Sequence, residues 1–345
     1  MLEYLTPIEW EVLNRYYNNP YFDKMVRASS RPTLAIGDTQ AFYLDVSGEV
    51  HMYGHYMQDK SSSYHSTTLV PFSVRSMIVR ESHIFLIDEE GSLYSLRKRR
   101  VGYITKLIPT PCAIRSVMSY SDGMYVIGED KKLYHNDNSS FELVDIPESV
   151  ISVVSGVNQV LVLTVSGRVY GYGGNHCGQL GLGSSPGSST FTLVPIPELV
   201  MSIAMGRFYS VVVAISGRVY GCGSNYCGQL GLGTRNNHLT FTHIPIPVPI
   251  ISVSLGYSHT CFLSREGKLY ACGFNSSGQL GTGNTNDLLV PIPIARHSNF
   301  IEVKAGYFST FAICTNGKLY ACGSNHNRIL GLKSTKDSLF FAPIV

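Results

Sequence analysis

The sequence predicts an all-β fold, a seven-bladed β-propeller with a short helical segment at its N-terminus. Three observations carry that prediction. Glycine (33) and tyrosine (22) are abundant, while charged residues make up only 15% of the 345-residue chain, against about 25% in an average soluble domain. A unit of about 50 residues returns along the chain. Within each unit, apolar runs alternate with glycine dipeptides and proline-bearing stretches, the order expected of short strands and tight turns.

The repeat is plainest in the second half. Ser166–Gly183 (Ser-Gly-Arg-Val-Tyr-Gly-Tyr-Gly-Gly-Asn-His-Cys-Gly-Gln-Leu-Gly-Leu-Gly) returns at 216–233, at 266–283 and, more worn, at 316–332, 50 residues apart each time. The Gly-x-apolar-Tyr anchor of this unit also has counterparts upstream, beginning at Gly48, Gly91 and Lys131. A second marker stands eleven positions before each anchor: Gly37, Arg80, Tyr120, Gly156, Gly206, Gly256 and Gly306. The register holds seven times. The first three copies have drifted furthest.

Each copy reads as four strands. Val211–Ile215 is an apolar strand, Ser216-Gly217 a tight hairpin expected to be type I′, and Arg218–Cys222 the returning strand. Gly178-Gln-Leu-Gly181 is a loop in which Leu180 plugs the gap beneath. Stretches such as Val194-Pro-Ile-Pro197, Ile244-Pro-Ile-Pro247 and Val290-Pro-Ile-Pro293 are expected to be edge strands, because proline lacks the ladder donor. Pro71, Pro109, Pro147, Pro195, Pro245 and Pro291 mark six such strands. The tail 338–345 matches a seventh, and is expected to pair beside the N-terminal copy and shut the ring. The propeller then occupies residues 31–345. Residues 1–30 lie outside the repeat; Thr6-Pro7-Ile8-Glu9 followed by Val12, Leu13 and Tyr16 predicts a helix over about 7–18. It reads as a cap on the propeller or as a partner-binding helix.

Several function classes are excluded. A net charge of +3 is too mild to argue for nucleic acid. The first twenty residues lack the apolar run of a signal peptide, and no stretch of 18 apolar residues predicts a membrane helix. A cytoplasmic or nuclear location is expected, and the sequons at Asn138 and Asn275 read as chance matches. Cys222, Cys272 and Cys322 recur at one repeat position and Cys177 and Cys227 at another, the pattern of small buried hydrophobes rather than of disulfides. There is no Cys-x-x-Cys pair, and His51 and His55 lack the glutamate and helix of a zinc motif. Gly183-Ser-Ser185-Pro-Gly187 spells a nucleophile elbow but sits in a glycine-serine loop. No catalytic residue, metal, cofactor or small-molecule substrate is therefore expected.

The unit Gly-x-apolar-Tyr-x-x-Gly-x-Asn-x-x-Gly-Gln-Leu-Gly-x-Gly, preceded by Gly256-Tyr-Ser-His-Thr260, resembles the regulator-of-chromosome-condensation (RCC-type) repeat. The resemblance is strong over 150–333 and weak over 31–149, where the Gly-Gln-Leu-Gly loop is missing. It implies a seven-bladed propeller. It also implies functions that differ among members: guanine nucleotide exchange on the small GTPase Ran, scaffolding, ubiquitin-ligase modules, a plant UV-B photoreceptor, and bacterial effectors that act on host GTPases in the host cytosol. The photoreceptor uses clustered tryptophans; the matching positions here are Arg207, Tyr257 and Tyr307, and Trp10 is the only tryptophan. The resemblance favours a small-GTPase regulator of Ran exchange type, with a non-catalytic scaffold or effector surface as the alternative.

Two features stand out as candidate sites. The short loops eleven residues before the anchors should share one face around the channel. Copies one to three place Asp38, Glu81 and Asp122 there; copies five to seven place Arg207, Phe208, Tyr209, Tyr257, Tyr307 and Phe308. These are either solvated loops or a protein-binding face, since aromatics with arginine make strong contact points and charges choose the partner. His259 falls at the family's Gly-x-x-His position and reads as a hydrogen-bonded residue near the channel or as part of that face. The run Arg97-Lys98-Arg99-Arg100 has no counterpart in other copies; it is a solvated loop or a contact for nucleic acid, acidic lipid or acidic protein.

Overall fold

The computed structural model describes residues 33–36, 40–44, 49–54, 65–80, 83–98, 103–120, 123–137, 140–294 and 299–344. Their strands form seven four-stranded antiparallel sheets, each built from four consecutive strands, over 33–69, 74–108, 114–143, 150–193, 200–244, 250–293 and 300–343. The protein is an all-β propeller, and these sheets are numbered here as blades one to seven. Blade five shows the pattern: Val200–Met205 innermost, then Tyr209–Ala214, Val219–Gly223 and His238–Ile244 outermost. The second strand is buried along its whole length in blades four to seven, which is why it reads as a continuous apolar run instead of alternating. Among the described residues there is no α-helix, only a 3₁₀ turn at His326–Arg328, and no helix able to cross a membrane. The helix expected over 7–18 lies outside the described residues.

The core lies between blades. Seven buried clusters each join two neighbouring sheets, such as Leu161 and Leu163 of blade four against Val212, Tyr220 and Phe241 of blade five. Ala41 and Tyr53 of blade one pack against Phe311, Ile313 and Leu330 of blade seven, and the first strand of blade one touches the first strands of both blades two and seven. The tail was expected beside the N-terminal copy; instead Ser338–Pro343 pairs with Leu319–Gly323 in its own sheet. Ile344 packs at the seam with blade one. The ring is joined there by apolar packing, because each blade completes its own four strands.

Two turn expectations are also corrected. Pro71, Pro109, Pro147, Pro195 and Pro245 follow the outer strand rather than lying within it, while Pro291 lies inside one, Leu288–Pro293. Proline ends the ladder and fixes the crossing to the next blade. The hairpin after the second strand is not type I′. In blade five Gly217 N–H bonds the Ala214 carbonyl and Ala214 N–H the Arg218 carbonyl, and only Gly217 has positive φ (84°). This is a type I turn closed by a glycine bulge, the common three-residue hairpin.

Candidate partner-binding face

Antiparallel strands reverse at each turn, so the turn after the first strand and the loop after the third emerge on the same face. That face carries the Gly-Gln-Leu-Gly loops and the turns at 207–208, 257–258 and 307–308. In the loops, Asn175, Asn225 and Asn275 hold the chain by accepting the N–H of Leu180, Leu230 and Leu280 at 2.7–3.0 Å. The glycines allow close docking on the following blade. At Gly181, with φ 71°, a Cβ would lie 2.5 Å from the Phe241 ring.

On this frame the structure brings together Arg207, Phe208, Tyr257, Tyr307 and Phe308. The Arg207 guanidinium donates to the Tyr257 hydroxyl at 3.0 Å and lies 5.1 Å and 5.2 Å from the ring centroids of Tyr257 and Phe208. Tyr257 packs on Tyr307 with centroids 4.3 Å apart, and Phe308 meets Tyr307 edge-on at 4.7 Å. Phe208 is 39% exposed. The cluster crosses blades five, six and seven, held by backbone turns such as Tyr257 N–H to the Tyr307 carbonyl at 3.3 Å.

Tyr209, expected on the same face, and His259, expected either there or as a hydrogen-bonded residue near the channel, are not on it. Both are wholly buried. They begin the second strand and lie over the marker glycine three residues earlier: a Cβ at Gly206 would come 2.3 Å from Tyr209 Cε1, and one at Gly256 2.2 Å from His259 Cε1. That close approach explains the marker glycine. The Tyr209 hydroxyl reaches into blade six, to the carbonyls of Gly256 (3.1 Å) and His259 (2.6 Å). His259 Nε2 lies 2.9 Å from Thr310 Oγ1. The Thr310 proton is directed to the Gln279 carbonyl at 2.7 Å, so the imidazole donates through Nε2–H and Nδ1 is a bare acceptor. Nδ1 has no partner among the described residues, and burial lowers the His259 pKa to about 4.

Asp38, Glu81 and Asp122 lie outside the described residues, as do Arg99 and Arg100. Arg97 and Lys98 end the third strand of blade two, Leu93–Lys98, on the aromatic face. Sequence reasoning missed Phe274 and Tyr226. Phe274 packs 5.8 Å from Phe308, and Tyr226, 66% exposed, stands on the loop of blade five. A signal was present for Phe274, since the same repeat position holds Gly174, Ser224 and Ser324. Cys222, Cys272 and Cys322 are buried, as their spacing implied, and burial pushes the Cys261 thiol up to about 12. Cys177 and Cys227 are only half-buried.

The opposite face differs. Several of its charges are paired: Arg168 with Glu148 at 3.3 Å, Arg218 with Glu198 at 3.2 Å and Lys268 with Glu266 at 3.0 Å. Hydrogen bonds from Ser216 and Tyr220 hold the Glu198 carboxyl below its usual range. A cavity of about 450 Å³ opens there, lined by Lys131, Lys132, Asp145 and Glu148 among others.

Models of the regulator of chromosome condensation (RCC1) repeat match residues 200–229, 250–279 and 300–328 in one form and 216–263 and 266–313 in another. No curated protein matches the chain by sequence. Among solved structures, human WBSCR16 is similar at a TM-score of 0.73 and 16% identity, covering 85% of this chain and 89% of that one. Prp20p from Saccharomyces cerevisiae, described with its binding properties to Gsp1p and histones, is similar at 0.58 and 18% identity, covering 91% and 76%. The ectodomain of the Arabidopsis thaliana receptor kinase ACR4 is similar at 0.57 and 12% identity, covering 88% and 98%. RCC1 repeats are thus matched within residues 200–328, across blades five to seven, and the chain as a whole shares its propeller fold with the solved structures.

Proposed function

We propose that this chain is a protein-binding propeller, one domain over residues 31–345, that regulates a small GTPase as an exchange factor of Ran type. The observation that carries the reading is the Arg207–Tyr257–Tyr307–Phe308 cluster. It sets aromatics and an arginine, the residue types that dominate protein-binding energy, on short turns of a rigid ring. Exchange needs no catalytic side chain. A factor that binds the nucleotide-free GTPase more tightly than the loaded one shifts the population toward release. The yeast relative is described with binding to Gsp1p and histones, which supports a protein partner without naming the one used here.

A second reading, a scaffold indifferent to nucleotide, is favoured by the loss of the Gly-Gln-Leu-Gly loop in blades one to three, where the basic run Arg97–Arg100 stands instead in blade two. The test is release of a fluorescent GDP analogue from a panel of small GTPases, Ran included. Acceleration for one member, reduced by Phe308→Ala, is the expected result. No acceleration across the panel, with nucleotide-independent capture of a partner, makes the scaffold the answer.

A further inference from the structure

We propose that the aromatic face over blades five to seven receives an acidic protein segment, with a carboxylate of the partner paired to Arg207 and a neighbouring apolar side chain lying against Tyr257 and Phe308. This rests on the reading that a partner docks on that face, and adds what the partner must look like.

Charge carries the inference. Arg207, Arg235, Arg328, Lys333 and Lys336 stand in the described turns and loops of this face in blades four to seven, against Asp287 and Asp337 alone. Both carboxylates are already used: Asp287 accepts from the Asn275 N–H at 3.0 Å and pairs with Arg235 at 3.1 Å, and Asp337 accepts from the Asn325 N–H at 2.9 Å. Arg207, Lys333 and Lys336 are exposed and have no carboxylate partner among the described residues. On the opposite face the two signs are nearly balanced: Arg168, Arg218 and Lys268 pair with Glu148, Glu198 and Glu266, and Lys132, Arg265 and Lys318 stand against Glu89, Glu90 and Asp145. The excess of positive charge in the described loops thus falls on the face that also carries the exposed aromatics, and an interface is specific when potentials are complementary.

Arg207 is also prepared for a carboxylate. One N–H of its fork goes to the Tyr257 hydroxyl, and the ring faces of Tyr257 and Phe208 restrain its plane. The remaining donors keep the geometry that binds a carboxylate with two parallel bonds. A side chain already ordered loses less entropy on binding. Single-stranded nucleic acid fits less well, because bases need open ring faces to stack on. Here Tyr257 and Tyr307 pack on each other, Phe308 stands edge-to-face with Tyr307, and Arg207 lies over Phe208.

The experiment is selection from a random dodecapeptide display library on the wild-type protein and on Arg207→Glu, followed by fluorescence anisotropy with the best peptide. Selected sequences should combine Asp or Glu with an aromatic residue and be lost on Arg207→Glu. Arg207→Gln should weaken the synthetic peptide about tenfold, the cost of removing one side of a charged pair. Lys333→Glu/Lys336→Glu should weaken it independently. Neutral or basic selected sequences, the same sequences from Arg207→Glu, or tighter binding of a dye-labelled 20-nucleotide oligo-uridine would overturn the proposal. A GTPase that responds in the exchange panel equally with wild type and Arg207→Glu would sink this inference and leave the regulator intact. Acidic peptides bound at Arg207 with no GTPase response would do the reverse.

Discussion

The Thr310 hydroxyl in blade seven donates a 2.7 Å hydrogen bond to the carbonyl of Gln279 in the loop of blade six. Thr260 does the same to Gln229 and Ser210 to Gln179, both at 2.6 Å, and the thiols of Cys322, Cys272 and Cys222 approach the same three carbonyls at 3.5 Å. Each Gly-Gln-Leu-Gly loop is thereby latched to the next blade by two side chains. The repeat that carries the loop and the one that receives it are different copies, so the latch couples the blades of the candidate face.

Thr310→Val removes the latch and also the acceptor of His259 Nε2. A buried group left unsatisfied costs about 1–3 kcal/mol, so the loss should be about 2–4 kcal/mol. Thr260→Val takes away the hydroxyl from Gln229 with no histidine depending on it, and should cost about half as much. Urea denaturation of the two variants checks this; equal losses would show that the histidine bond contributes nothing.

Lys131 sits where the other hairpins carry glycine, with φ 61° against 75–84° at Gly91, Gly167, Gly217, Gly267 and Gly317. A side chain in that left-handed region costs about 1–2 kcal/mol. Lys131→Gly should therefore stabilise the protein by about 1 kcal/mol, read as a higher thermal midpoint. Gly317→Lys should lose a similar amount, since nothing lies within 4 Å of a Cβ there and only the backbone conformation is penalised. A lower midpoint for Lys131→Gly would contradict the argument.

The spacing of the anchors located the blades even where copies had worn, because a hairpin bulge needs a left-handed residue, usually glycine, at one register whatever happens to the loops. It misplaced Tyr209 and His259 because adjacency on the chain is not adjacency in exposure. Phe208 ends a turn and faces solvent, while Tyr209 starts a strand and points into the ring. The apolar run that begins at each of these positions was the available clue. The tail was misjudged for a different reason: its outer-strand pattern was legible, but which sheet it joins depends on the neighbour it finds, and Leu319–Gly323 lies closest along the chain.

His259 makes stability depend on pH. Burial holds its folded pKa at about 4, below the unfolded value of about 6.5. Between those values the unfolded chain binds a proton that the native state refuses, so stability falls as the solution is acidified. The contribution is complete above about pH 6.5 and is lost as pH drops toward 4, amounting to about 3 kcal/mol. His259→Gln keeps a polar side chain, as Gln159 does in blade four, but removes the titration. Chemical denaturation at pH 7 and pH 4.5 should show wild type losing about 2–3 kcal/mol more than His259→Gln. Parallel losses would place the acid sensitivity elsewhere.

Removing residues 338–345 tests how far one blade depends on its last strand. Ser338–Pro343 closes the sheet of blade seven, and Phe341, 4% exposed, packs with Phe300 of its own blade and with Leu269 and Leu280 across the seam to blade six. The loop of blade six rests on the same strand: a Cβ at Gly278 or Gly281 would strike Leu339 or Phe341. The deletion exposes a sheet edge and withdraws support from two blades at once. Phe341→Ala alone should cost about 3–5 kcal/mol, and the truncated chain should lose its cooperative thermal transition under conditions where the full chain keeps it. A truncation that melts with the full chain would mean that the seam between blades six and seven is held by the inner three strands, with Phe300 and Val303 sufficient to close it.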